Sequence, residues 1–198
     1  MAKLQDIIQW CDQTLKSTEF KDYAPNGLQI EGKTEVHKIL AAVTASQDAI
    51  DAAIRENVDL LLVHHGYFWK GEAYPITGMR GKRIKSLIQH DISLLAYHLP
   101  LDSHPSLGNN VAIADLLKLE RIEALDPSER HPIGNIGYLK QPMPVEEFKK
   151  FVSEKLKFDV THLPADKTMI EKVGFCTGGA QDFIVKAAEQ GCDAYISG

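Results

Sequence analysis

The sequence predicts an α/β protein made of two related lobes, each with a mixed sheet flanked by helices. Short apolar runs alternate with amphipathic stretches along the chain, which is typical of layered α/β folds. Residues 44–63 align with residues 177–197, which indicates an internal duplication. The stretch 123–132 contains two prolines among charged residues and favours a linker. We therefore expect a first lobe over residues 1–122 and a linker with a second lobe over residues 123–198.

Hydrophobic periodicity and capping signals predict the individual elements. A helix from Lys3 to about Lys16 has one apolar face, and Ser46 is expected to cap a helix that ends near Asn57. The other predicted elements of the first lobe are, in order, strands over 38–44 and 59–64, a helix over 82–90, a strand over 92–97 and a helix over 110–118. Those of the second lobe are a strand over 133–140, a helix over 144–155, strands over 158–163 and 172–176, and a helix over 179–190.

The internal repeat covers a strand end, a helix and a strand. With one inserted residue, the aligned positions share residue type: Thr44 with Thr177, Gln47 and Asp48 with Gln181 and Asp182, and Asp59 with Asp193. On this alignment His64 falls on Gly198. A buried strand seldom ends a domain uncovered, so we expect the natural chain to continue beyond Gly198.

Composition narrows the class of protein. The 198 residues are 44% hydrophobic and carry a formal net charge of −5, which argues against a surface that coats nucleic acid. No apolar run approaches the ~18 residues that span a bilayer. The N-terminal helix lacks the apolar core of a signal peptide, so we expect a cytoplasmic protein. The three cysteines show no metal-binding or disulfide spacing.

Two adjacent histidines, His64 and His65, follow the apolar run 59–63 and precede Gly66. The run predicts a buried parallel strand, and ligands of open α/β sheets bind beyond the carboxyl ends of such strands. Neighbouring strand residues point to opposite faces, so the pair is expected to serve two ligands, or one ligand and its second coordination sphere. The alternative is a pair of structural histidines.

The next predicted strand is also followed by side chains that can bind metal, a histidine and an aspartate. Residues 92–97 lead into the sequence His98-Leu-Pro-Leu-Asp102. Imidazoles with a carboxylate bind Zn, Mn, Fe, Co or Ni rather than Ca or Mg. A carboxylate can also bridge two ions, as in two-metal hydrolases, although Asp102 could instead cap the next helix. The strand ends therefore predict a transition-metal site.

Five segments match a known family in order and spacing: Asp22–Gly32, Val63–Gly66, Tyr97–Asp102, Gly108–Asn109 and Cys176–Gly179. On these segments the chain resembles the Nif-three-like family, whose members are often labelled GTP cyclohydrolase I type 2 homologues. The resemblance implies a toroidal homohexamer with a dinuclear metal site in each subunit. It places metal ligands on His64, His65 and Asp102, with His98 lining the site. It also implies a further His and Glu near the C-terminus, which this sequence does not reach.

The function expected on this basis is that of a hydrolase with two divalent transition-metal ions per subunit, Zn, Mn, Fe, Co or Ni. The substrate would be a small molecule, nucleotide-like or a cyclic amide. His98 and Asp102 are the expected catalytic residues, with Asp102 bridging or orienting the ions and His98 transferring protons. The alternative is a non-catalytic metal-binding scaffold whose homo-oligomer presents an interaction surface. Neither a membrane nor a nucleic acid is expected as a partner.

Residues 27–34 match the phosphate-binding string G-x-x-x-x-G-K-T literally. That loop requires a buried strand before it and a helix N-terminus after it, so that backbone N–H groups face the phosphates. Here the preceding residues are polar and interrupted by Pro25, and residues 36–43 predict a strand. We therefore expect Gly27 and Gly32 to bracket a short edge strand instead.

Four aromatic residues lie in the loop that follows the histidine pair: Tyr67, Phe68, Trp69 and Tyr74. A lid or substrate platform is one interpretation. A subunit interface is the favoured one, because aromatic residues are enriched at interfaces.

Overall fold

The structure, a computed structural model, describes residues 1–198 and divides into two compact units, 1–101 and 102–198. The first unit contains, in chain order, β1 (Ala2–Lys3), α1 (Leu4–Leu15), β2 (Gly27–Ile30), β3 (Glu35–Val36), β4 (Ile39–Thr44), α2 (Gln47–Arg55), β5 (Leu60–His65), α3 (Gly78–Gln89), β6 (Ser93–Ala96) and α4 (Leu99–Asp102), whose last residue begins the second unit. No helix has the length and apolar character needed to cross a membrane.

The first unit is built on a four-stranded mixed sheet with the order β2-β6-β5-β4. β4, β5 and β6 are parallel, and β2 joins the edge antiparallel to β6. Leu60 and Leu95 face α1, whereas Leu61 and Leu94 face α2 and α3. Because helices cover both faces, β5 and β6 contain continuous apolar runs, residues 60–63 and 94–96, as in other buried parallel strands.

The second unit contains, in chain order, α5 (Asn109–Leu116), β7 (Glu120–Ala124), β8 (Asn135–Pro144), α6 (Val145–Leu156), β9 (Met169–Cys176), α7 (Ile184–Glu189) and β10 (Ala194–Ser197). Its sheet order is β10-β9-β8-β7, with β10 parallel to β9 and the other pairs antiparallel. Phe148 and Val152 of α6 pack with Phe175 of β9 in its larger core. The predicted α/β class with mixed sheets flanked by helices is therefore confirmed.

The division between the units differs from the one expected at residues 122 and 123. It falls between Leu101 and Asp102, because Ala114 and Leu117 pack in the core of the second unit. Most of the expected linker is loop, but its first residues belong to β7, which pairs with β8.

The strand predicted over residues 158–163 is absent. Phe158 and Leu163 are 70% and 80% exposed, so the apolar pattern there does not reflect burial in a sheet. The predicted helix over 179–190 is shorter than expected and begins with a 3₁₀ turn, Gln181–Phe183.

The internal duplication is confirmed by matching hydrogen bonds in the two units. In the first, Asp59 accepts from Lys33 Nζ at 2.8 Å and from the backbone N–H groups of His37 and Lys38 at 2.9 and 3.1 Å. In the second, Asp193 accepts from Lys167 Nζ at 2.8 Å and from two backbone N–H groups at 3.1 and 2.9 Å. Each unit therefore fixes the start of its second repeat strand with one carboxylate.

We expect the contribution of Asp59 to stability to be lost in acid. The hydrogen bond from Lys33 lowers the pKa of Asp59 to about 2, assisted by the two N–H groups and opposed by burial. An unfolded Asp has a pKa of about 3.9. The folded pKa is the lower one, so the stabilisation is complete above about pH 4 and disappears as the pH falls through the folded value.

Urea unfolding of the wild type and of Asp59→Asn over a pH series measures this contribution. The variant should be less stable at neutral pH, and the difference should shrink below about pH 4. A difference that does not change with pH would contradict the assignment.

The segment that matches the phosphate-binding string lies at the sheet edge. Gly27–Ile30 form β2, and no helix follows Lys33, whose ammonium group binds Asp59. Gly32 packs so closely on the backbone of Asp91 that a Cβ would collide with it. The glycines therefore serve a turn and a close approach, as the edge-strand interpretation predicts.

Accordingly, we expect Lys33→Ala to leave Mg-nucleotide binding unchanged, because this lysine is held away from any phosphate loop. Equilibrium dialysis with ATP and GTP compares the variant with the wild type. Tight nucleotide binding by the wild type that disappears in Lys33→Ala would overturn this interpretation.

Candidate metal centre

Three histidines meet at the carboxyl ends of β5 and β6. His64 and His65 are the last residues of β5, and His98 follows β6. The ring of His64 lies 4.4 Å from that of His65 and 5.0 Å from that of His98, centroid to centroid. One ring nitrogen from each residue can be chosen so that all three lie within 4.8 Å of one another. The imidazoles of His64 and His65 therefore lie next to each other, whereas alternation along a regular strand would place them on opposite faces of the sheet.

Each of the three rings has its Nδ1 atom next to an oxygen. His64 Nδ1 lies 2.9 Å from the carbonyl oxygen of Tyr97, and His65 Nδ1 lies 3.2 Å from Thr44 Oγ1. His98 Nδ1 lies 2.7 Å from Asp22 Oδ1. Metal-binding histidines in proteins are commonly anchored in this way through the nitrogen that does not bind the ion. These contacts at Nδ1 fix the orientation of the three rings.

Asp22 is the residue of this centre to which the sequence analysis gave no role. Its side chain is 3% exposed and accepts hydrogen bonds from Tyr23 N, Asn26 Nδ2 and Leu99 N as well as contacting His98. Burial raises the pKa of Asp22, but the hydrogen bond with His98 and those from Asn26 and Leu99 outweigh it and lower the pKa to about 2. The only signal in the sequence was its place at the start of the first matching segment.

The aromatic residues after the histidine pair have different environments. Trp69 contacts the centre, because its ring packs edge-on against His98 at 4.9 Å and lies 5.9 Å from His65. Tyr67 is buried, and its hydroxyl donates to the carbonyl of Ala45 at 2.7 Å. Tyr74 is 99% exposed. The loop therefore places Trp69 beside the histidines and Tyr67 in the hydrophobic core.

Gly66 allows the chain to pass closely behind the histidine pair. A Cβ at this position would collide with the amide of Gln29 and would lie 2.8 Å from the Cβ of Ala96. Gln29 is held in place because its Oε1 accepts from Tyr67 N at 2.7 Å. Only glycine fits here without displacing these neighbours.

Asp102 belongs to the second unit, where its side chain is buried. Its Oδ1 accepts from Asn109 Nδ2 at 2.7 Å and from Thr177 Oγ1 at 3.3 Å. Thr177 N in turn donates to Asn110 Oδ1 at 2.8 Å. Two of the segments behind the family resemblance, Gly108–Asn109 and Cys176–Gly179, thus meet at this carboxylate. The role of Asp102 as a metal ligand stays a prediction.

The histidine cluster fits a transition-metal ion. Three nitrogens bound to one ion with bonds of about 2.1 Å lie no more than about 3.6 Å from one another, so each of the three nitrogens, which lie within 4.8 Å of one another, would have to move by less than about 1 Å to bind a common ion. Neutral imidazole is a preferred donor for Zn, Fe, Co, Ni and Cu. The three rings offer enough donors for one ion.

Fold and site together define a two-unit α/β protein with a histidine cluster able to hold a metal ion. A family model described as Duf34/NIF3 (NGG1p interacting factor 3) matches residues 2–198. The chain belongs to the DUF34/NIF3 family.

Relatives and solved structures agree with this membership. The chain is 49% identical over 195 residues to the GTP cyclohydrolase 1 type 2 homolog of Haemophilus influenzae, covering 98% of this chain and 77% of the relative. A solved structure described as protein ybgI, unknown function, superposes with a TM-score of 0.93 at 41% identity, covering 100% of this chain and 78% of the other. TTHA1606 from Thermus thermophilus gives a TM-score of 0.85 at 28% identity, with the same two coverages.

Proposed function

We propose that this protein is a divalent-metal-dependent hydrolase in which His64 and His65 bind the ion and His98 transfers a proton. The observation that supports the proposal is the cluster of three histidines, each anchored through Nδ1. Structural metal sites are closed by four protein ligands, whereas catalytic sites use about three and keep a position open. The proposed third ligand is Asp102, the carboxylate that the family resemblance implies.

The anchoring atoms support this division of roles. His64 and His65 lie next to neutral oxygens, and a neutral imidazole is the form that binds metal. His98 lies next to a carboxylate. A carboxylate stabilises the imidazolium through which a proton-transfer histidine passes, as in serine hydrolase triads. Nε2 of His98 is then the atom that takes up and releases the proton, and Trp69 shields one side of the ring.

A bound divalent ion would supply Lewis-acid polarisation of substrate and water at neutral pH. The curated relatives are named GTP cyclohydrolase 1 type 2 homologs, and we propose a substrate of that kind, a nucleotide-like molecule or a cyclic amide. Two ions per subunit would need ligands beyond the histidine cluster. We also propose that the protein acts as a homo-oligomer.

Turnover by metal-loaded protein tests the function, with GTP and a series of cyclic amides as substrates and product formation followed by chromatography. We expect saturable turnover that chelation abolishes. His98→Ala should retain the metal and lose about 100-fold or more in kcat. Loss of the metal from His98→Ala would make His98 a ligand and overturn the division of roles.

Absence of turnover in the metal-loaded wild type with every substrate of the series would favour the non-catalytic scaffold. In that case, neither His98→Ala nor Asp102→Ala should change oligomerisation or partner binding. Loss of turnover in Asp102→Ala while the metal-free protein stays folded would support the enzyme.

A further inference from the structure

Both oxygens of the Asp22 carboxylate lie next to hydrogen-bond donors. Oδ2 of Asp22 accepts from Asn26 Nδ2 and from Leu99 N, both at 2.9 Å. Oδ1 accepts from Tyr23 N at 2.6 Å and lies 2.7 Å from His98 Nδ1. Backbone N–H groups can only donate, so the carboxylate functions as an acceptor on both oxygens.

The orientation of the Asn26 amide follows from a neighbouring bond. Its Oδ1 accepts from the backbone N–H of His98 at 2.8 Å, so its Nδ2 must be the atom that donates to Asp22. Asn26 and Asp22 therefore bind the main chain and the side chain of His98 together. They lie more than seventy residues away from it in sequence.

We propose that Asp22 is a positioning residue that holds His98 as the tautomer with hydrogen on Nδ1, leaving Nε2 unprotonated beside His64 and His65. Because both oxygens of this carboxylate already accept hydrogen bonds from Tyr23, Asn26 and Leu99, it offers no proton to His98 Nδ1, and the ring must donate. The hydrogen bond at one ring nitrogen sets the state of the other. The use of Nε2 in proton transfer rests on the proposed function, whereas the tautomer does not.

The variant Asp22→Asn keeps the shape of the side chain and reverses this arrangement. Asn26 Nδ2 and Leu99 N both need an acceptor, so the amide oxygen of the new asparagine should face them. Its NH₂ group then takes the place of Oδ1, so the N–H group of Tyr23 on the exposed side loses its acceptor and His98 Nδ1 must accept. The proton moves to Nε2, in the way that an Asp-to-Asn change imposes the wrong tautomer on a catalytic triad histidine.

The test is ¹⁵N NMR of histidine-labelled, metal-free protein at a pH where imidazoles are neutral, with the His98 signals assigned by their loss in His98→Gln. In the wild type, we expect Nδ1 of His98 to have the chemical shift of a protonated nitrogen and Nε2 that of an unprotonated one. In Asp22→Asn the two shifts should exchange. The matched control is Asp59→Asn, which alters another buried carboxylate of the same unit and should leave the His98 signals unchanged.

Protonated Nε2 in wild-type His98 would overturn the proposal whether or not the variant folds. An unchanged tautomer in folded Asp22→Asn would also overturn it. Because the protein is metal-free, the outcome does not depend on turnover, so failure of the proposed function and failure of this inference are distinguishable. In metal-loaded protein, Asp22→Asn should lower kcat with little change in metal content.

Discussion

Replacing His64 or His65 by alanine is expected to lower the affinity for Zn²⁺ or Co²⁺ by at least about 100-fold. Loss of a residue that only hydrogen-bonds a metal ligand already costs about 10- to 100-fold in affinity, and loss of the ligand itself costs more. Isothermal titration of metal-free protein measures the change. Combining both substitutions with Asp102→Ala should remove binding altogether.

The matched control is His90→Ala, which removes a histidine of the same unit that lies outside the cluster. Its Nδ1 contacts the carbonyl of Ser86 on α3, so the substitution should leave metal affinity unchanged. Wild-type metal content in the triple variant after dialysis would show that the ion, if bound, lies elsewhere.

Gly66→Ala is expected to destabilise the protein by about 2–3 kcal/mol. The new methyl group would overlap the amide of Gln29 and press on Ala96. Moving Gln29 would break its bond to Tyr67 N, and Ala96 cannot move without displacing β6. Urea unfolding measures the loss of stability, and metal affinity should fall as well because His65 is the preceding residue.

Gly179→Ala is the control for this prediction. Its φ angle does not require glycine, and the nearest atom to a Cβ there is 3.8 Å away, so the added methyl group meets no obstacle. Stability should change by less than about 0.5 kcal/mol. Equal stability of Gly66→Ala and the wild type would show that the histidine loop can relax without cost.

Local patterns were sufficient to predict β5 and β6 and the histidines at their carboxyl ends, because buried parallel strands produce continuous apolar runs. The repeat was also predictable, because Asp59 and Asp193 align in the sequence. The two residues have the same role in the two units. The strand expected over residues 158–163 failed because exposed apolar residues can imitate a strand pattern. A hydrophobic pattern in the sequence shows which side chains are apolar but does not show whether they are buried.

The anchors of the histidine rings could not be predicted from local sequence. Asp22 and Thr44 meet His98 and His65 through the packing of distant loops and strands. Alternation along a regular strand suggested that His64 and His65 would diverge, but at the end of β5 their rings lie 4.4 Å apart. Tertiary packing, which a single sequence does not display, decides these positions.

The location of a bound ion tests the central claim most directly. Crystals of the zinc-loaded protein, measured on both sides of the zinc absorption edge, give an anomalous difference map that shows each zinc position. The account predicts a peak about 2.0–2.1 Å from a ring nitrogen of both His64 and His65. Zinc-loaded protein whose anomalous peaks all lie away from these two rings would contradict it.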